Sequence, residues 1–216
     1  MNHFSCDLAQ PAEAARAIGE VEALLRREVP AGEVLLINNS GFGTMADFPE
    51  PNLARQLEMI DVNVRAVVHI TGQLLPFLRE RGGAIINVAS TAGFQPTPSM
   101  ATYGATKAFV LHWSHALGVE LRGSGVRTLS VCPGTTRTEF FRTAGLAEGN
   151  RADAFAMTCE EVVEQSLRAL ARGRSQVVTG WRNKLSTFAS TPVPKPFAAR
   201  VAGVVLAAYR RKQTRS

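Results

Sequence analysis

A chain of 216 residues is long enough for one domain with a substantial core, and 45% apolar against 19% charged residues excludes a disordered chain. The net charge of +6 is unevenly placed: 18 Asp/Glu outweigh 13 Lys/Arg up to Glu164, whereas residues 165–216 carry 11 Lys/Arg and no acid. The basic excess belongs to the C-terminal quarter, which argues against a nucleic-acid groove of interleaved basic and aromatic residues.

Met1–Gln10 holds no basic segment followed by an apolar run, so no signal peptide is read there. Cys6, Cys132 and Cys159 have neither metal-ligand nor CxxC spacing, and no metal site is expected. Reduced thiols in a cytoplasmic protein are the expectation. No apolar stretch reaches the length needed to span a bilayer.

Pro11–Glu28 has helical spacing of Ala, Ile, Val and Leu with proline at its start. Glu33–Ile37 is a short apolar strand ending in Asn38-Asn39-Ser40-Gly41. A long helix is predicted over Pro51–Arg79, broken by Gly82-Gly83, and Ala84–Ala89 reads as a buried strand. A second long helix spans Ser99–Arg122, followed by the strand Val126–Val131 and the turn Cys132-Pro133-Gly134. Thr158 and Glu161 form a capping box opening a helix to about Ala171. Gln176–Val178 is a last short strand, and Pro194–Lys212 a final helix. Such alternation predicts an α/β fold, a Rossmann-like parallel sheet with helices on both faces. Ligands in that architecture sit beyond the carboxyl ends of the strands, so the segments following each strand carry the candidate chemistry.

Tyr103 and Lys107, four residues apart in TYGATK, share one face of a helix. An ammonium beside a phenol favours the phenolate and brings the tyrosine closer to proton exchange with an alcohol or carbonyl. Ser90, at the end of AIINVAS, can donate to an oxygen on which negative charge builds; taken alone, it reads first as a turn cap. Asn63 sits in a helix interior, where asparagine is a poor residue unless it faces solvent or bends the helix. Gly134 lets a flat ring approach the backbone, and the hydroxyls of Thr136 and Thr138 can bond an amide, although the segment also serves as a plain turn.

Taken together, Asn-Asn-x-Gly, Asn63, INVAS, Tyr-x-x-x-Lys and Pro-Gly-x-x-x-Thr resemble the short-chain dehydrogenase/reductase family, from Asp7 through about Val178. The resemblance implies an NAD- or NADP-dependent oxidoreductase interconverting a secondary alcohol and a ketone. It makes Tyr103 the proton donor and acceptor. Lys107 lowers the tyrosine pKa and binds the nicotinamide ribose, Ser90 orients the substrate oxygen, and Asn63 holds a water linking Lys107 to solvent. Asn39 touches the cofactor ribose region, Asp7 the adenine and Leu8 its backbone neighbourhood, while Gly134, Thr136 and Thr138 line the nicotinamide. Ser40 stands where the family usually has alanine. A homodimer or homotetramer paired through the two long helices is also implied.

One departure is large. Family members begin with a strand, a TGxxxGxG turn and a helix whose N-terminus cradles the pyrophosphate; no such segment occurs here. Asp7 matches a position after the family's third strand, so the expectation is a single partial domain over 1–216 lacking the first βαβαβ half, about sixty residues. EVLLI would become an edge with exposed apolar surface. The acid that selects NAD over NADP lies in that half, so the preference is not readable. A remnant without catalysis, surviving as a scaffold or subunit partner, is the alternative.

Phe94, Phe140, Phe141, Phe155 and Met157 suggest a hydrophobic substrate pocket under a lid at Glu139–Met157, or simple core packing. Residues 181–216 read as a basic helical extension. Its last helix, apolar on most sides and ending in Arg210-Arg211-Lys212, has three candidate partners: an anionic membrane surface, the substrate mouth or a second subunit.

Overall fold

A computed structural model describes residues 2–29, 31–140, 144 and 156–213, with side chains described as far as Val204. α1 (Pro11–Glu28) has proline in its first turn, where the missing N–H costs nothing. β1 (Val34–Asn38) leads through a loop to α2 (Leu53–Ile60), whose N-terminus is capped by Asn52 Oδ1 accepting from the Arg55 N–H at 2.8 Å. Where one long helix was expected, α2 and α3 (Ala66–Arg81) are joined by a wider π turn at Asp61–Arg65.

Gly82 and Gly83 stop α3, both with positive φ, and a Cβ at Gly83 would lie 2.0 Å from the Val34 carbonyl oxygen. Only glycine permits that approach between the helix end and β1. β2 (Gly83–Val88), a 3₁₀ turn (Thr91–Phe94), α4 (Ala101–Glu120) and β3 (Val126–Cys132) follow. α5 (Cys159–Ala171) opens on the Thr158–Glu161 capping box. β4 (Gln176–Val178), α6 (Trp181–Ser190) and α7 (Lys195–Gln213) complete the described chain. α6 falls within residues 181–216, read from the sequence as a helical extension without a separate helix at its start.

The four strands form one parallel sheet in the order β1-β2-β3-β4. One face packs under α1, α3 and α4 through Ile18, Leu78, Ile85, Leu117 and Val126. The other packs under α5 through Ile86, Leu129, Val131 and Ala169. Leu35 and Ile37, which point to the α5 face from β1, are exposed. β1 is therefore an edge strand with bare apolar side chains, as the sequence reading expects. No described helix is long and apolar enough to cross a membrane.

Below the carboxyl ends of the strands lies a polar network within the core. Asn38 and Asn87 are register partners in β1 and β2. The Asn38 amide donates to Asn87 Oδ1 at 2.7 Å and to Thr71 Oγ1 at 3.0 Å; Asn87 donates to Ser114 Oγ at 2.9 Å. These bonds tie β1, β2, α3 and α4 together where a purely apolar core would fix only distance. Asn87→Ala should destabilise the fold by about 1–3 kcal/mol, because it leaves one N–H of the buried Asn38 amide without its acceptor. Urea unfolding checks this, and an unchanged midpoint would show that the network contributes nothing.

Candidate functional site

Ser90, Tyr103 and Lys107 meet beyond the end of β2. Ser90 caps the 3₁₀ turn, its Oγ accepting from the Ala92 N–H at 3.1 Å. Tyr103 lies in the first turn of α4 and is buried, as is Lys107 one turn later. Lys107 Nζ donates to the Val88 carbonyl at 2.8 Å and stands 5.9 Å from the centroid of the Tyr103 ring. The Phe140 ring tilts against Tyr103 at 5.2 Å between centroids.

The loop after β1 closes over this group. Asn63 is 1% exposed. Its Oδ1 accepts from the Phe42 N–H at 3.1 Å, while its Nδ2 donates to the Phe42 carbonyl at 2.9 Å and to Thr106 Oγ1 at 3.1 Å. The π turn accounts for an asparagine inside a helical stretch: the widened turn carries Asn63 into the loop instead of toward solvent. Arg55 stacks on the Phe42 ring at 3.8 Å. A Cβ at Gly41 would lie 2.9 Å from Asn63 Oδ1 and 3.4 Å from Lys107 Nζ, and one at Gly43 would lie 3.0 Å from the Tyr103 ring. Both glycines supply room for the loop backbone to lie on the buried pair.

Burial sets the electrostatics. It pushes the Tyr103 phenol above its ordinary value, opposed by the nearby Ser90 hydroxyl. Burial also lowers the Lys107 amine to about 8, opposed by the nearby Cys132. The Cys132 thiol is in turn pushed up to about 11 by burial. This differs from the sequence expectation that Lys107 lowers the tyrosine pKa. Removing the phenol from water outweighs an ammonium that sits near the ring face and bonds a carbonyl.

The remaining predicted positions scatter around this centre. Asn39 is exposed at the end of β1. Thr136 Oγ1 donates to the Gly134 carbonyl at 3.1 Å, and Thr138 is exposed, its Oγ1 accepting from the Phe140 N–H. Asp7 precedes α1, its Oδ1 accepting from the Ala9 N–H and its own N–H donating to Glu13; Leu8 is half-buried beside it. No hydrogen bond among the described residues joins Asp7 or Leu8 to Tyr103 or Lys107. Phe141 and Phe155 lie outside the described residues.

Sequence reasoning gave no separate role to Asn38 and Asn87, which lie in its Asn-Asn-x-Gly and INVAS motifs, and missed Thr106 and Asn183. Asn183 lies against Gly134, where a Cβ would stand 2.4 Å from its side chain, and donates to the Thr179 carbonyl at 2.8 Å. The signal available for the first two was an asparagine ending each of two apolar runs, VLLIN and AIIN.

Residues 1–149 match the model of the short chain dehydrogenase family. Sulfoacetaldehyde reductase 2 of Chromohalobacter salexigens is 39% identical over 140 residues, 60% of this chain and 54% of that protein. Serine 3-dehydrogenase of Rhizobium radiobacter is 40% identical over 120 residues, 54% of this chain and 48% of that protein. The chain thus spans about half the length of these curated relatives. The solved structure of a short-chain dehydrogenase from Sphingobium yanoikuyae in complex with NADPH superposes with a TM-score of 0.69 at 32% identity, covering 81% of this chain and 66% of that one. With a matching family model over most of its length, the chain belongs to the short-chain dehydrogenase/reductase family.

Proposed function

We propose that this chain carries the catalytic half of an NAD(P)-dependent oxidoreductase that interconverts a secondary alcohol and a ketone on a hydrophobic substrate. One observation carries the reading: at the end of β2 and the start of α4, the buried Tyr103 phenol and Lys107 ammonium stand one helical turn apart with Nζ 5.9 Å from the ring centroid, next to the Ser90 turn. Similarity to a structure holding NADPH and to two named oxidoreductases supports it.

The donor set fits the nicotinamide end of such a cofactor. A phenol and an ammonium side by side suit a ribose diol, and Gly134, Thr136 and Thr138 offer a flat approach and hydroxyls. Asn39, Asp7 and Leu8 fall to the ribose and adenine side. The described residues offer no Gly-rich helix N-terminus before β1 for the pyrophosphate. When bound, the nicotinamide supplies or takes the hydride.

The chain's own groups handle the proton. In carbonyl reduction, Ser90 donates to the substrate oxygen and Tyr103 gives that oxygen its proton. A raised phenol pKa keeps Tyr103 protonated at neutral pH, which favours this direction. Lys107 then stabilises the phenolate left behind. Asn63 positions the loop over Lys107 and, in this reading, holds the water that links it to solvent. Phe140 against Tyr103 gives the substrate side an apolar wall, while Phe94 packs on the core of Ala89, Val110 and Leu111. Assembly as a homodimer or homotetramer would cover the exposed Leu57, Val68 and Phe109 of α2, α3 and α4.

Tyr103→Phe should lower kcat for ketone reduction by about 10²–10⁴-fold with an unchanged circular dichroism spectrum. Full activity in that variant, or no saturable NADH or NADPH fluorescence change in the parent chain, would instead favour a non-catalytic remnant. The pH profile gives a second check. An amine with a lowered pKa loses its charge as pH rises through that value, so support for the phenolate is present below about 8 and fades above it. Reductive kcat/KM should therefore fall as pH passes about 8; a rate flat to pH about 10 would contradict the role given to Lys107.

A further inference from the structure

α6 and α7 repeat one surface pattern. On α6, Trp181, Lys184, Leu185 and Phe188 stand at i, i+3, i+4 and i+7 and share a face. On α7, Phe197, Arg200, Val201 and Val204 have the same spacing. Trp181 is 69% exposed, Phe188 80% and Val204 74%. Ala198 and Ala202, on the other side of α7, are buried, and Lys195 Nζ donates to the Phe94 carbonyl at 2.9 Å. α7 is therefore docked on the body of the protein by one face while its larger apolar side chains point away.

Charge narrows the occupant. Residues 165–216 hold 11 Lys/Arg and no acid, and each stripe has its own cation at i+3. A second copy brought face to face would present the same positive surface, and the two would repel. Exposed Trp and Phe beside a cation on each helix match the headgroup region of an anionic bilayer, where apolar rings enter the acyl boundary and long basic side chains reach the phosphates. We propose that the exposed faces of α6 and α7 form a seat for an anionic lipid surface, lying on it without crossing. α6 leaves directly from β4, at the end of the sheet opposite the free β1 edge, so strands added at β1 would not cover it.

The test is vesicle co-sedimentation of the full chain. Vesicles of about one-third phosphatidylglycerol in phosphatidylcholine should sediment it at low ionic strength, with release by salt; phosphatidylcholine alone should not. A blue shift of indole emission should accompany binding and be absent in Trp181→Phe. Lys184→Glu with Arg200→Glu, and separately Phe188→Ser with Phe197→Ser, should each lower binding at least about tenfold. All four positions are exposed, so an unchanged circular dichroism spectrum is expected. Equal binding to both kinds of vesicle, no sedimentation with either, or undiminished binding in either double variant overturns the proposal. So does sedimentation velocity in which Phe188→Ser with Phe197→Ser dissociates an oligomer in the absence of lipid.

Discussion

The hydrogen bond from Lys107 to the Val88 carbonyl is the contact on which the site depends. A buried ammonium is expensive unless it is paired, and a backbone carbonyl at a strand end is a partner that cannot rotate away. The bond anchors the first turns of α4 at the end of β2 and so places Tyr103, one turn earlier, beside Ser90. Gly41 and Asn63 close the site from above, with no room between the loop and the Asn63 amide oxygen for a Cβ. The same burial leaves Lys107 close to losing its proton near neutral pH and keeps Tyr103 holding its own.

Around that contact the molecule divides into regions of different chemistry. The Asn38–Asn87–Ser114 network fixes how strands and helices meet under the site. β1 leaves apolar side chains bare at one end of the sheet. At the other end, α6 and α7 carry exposed aromatic and aliphatic stripes within a segment that has no acid. The basic excess that gives the whole chain its charge is thus remote from the proton-transfer groups in function: no described ion pair or hydrogen bond uses it at Tyr103 or Lys107.

Much of this was legible in the residues. Four apolar runs separated by helical spacing defined four parallel strands, and the Gln176–Val178 strand and the Thr158 capping box fall where their side chains dictate. The Tyr103–Lys107 pairing followed from helix periodicity alone. The π turn at Asp61–Arg65 did not, because a single extra residue in a helical ladder leaves the apolar spacing almost unchanged. α6 was not resolved as a separate helix within the 181–216 extension because its apolar residues face outward, so they carry no core signal. The Asn38–Asn87 pairing needed the register of β1 against β2, which no single run reveals. The direction of the Tyr103 shift depended on burial, a property of the fold rather than of the four-residue spacing.

The decisive measurement is a double-mutant cycle on ketone reduction with Ser90→Ala, Tyr103→Phe and the pair. If hydroxyl and phenol act on one substrate oxygen, the double variant should be about as slow as Tyr103→Phe alone, within roughly threefold. Losses that multiply in the double variant would show two independent groups and contradict a shared proton-transfer site.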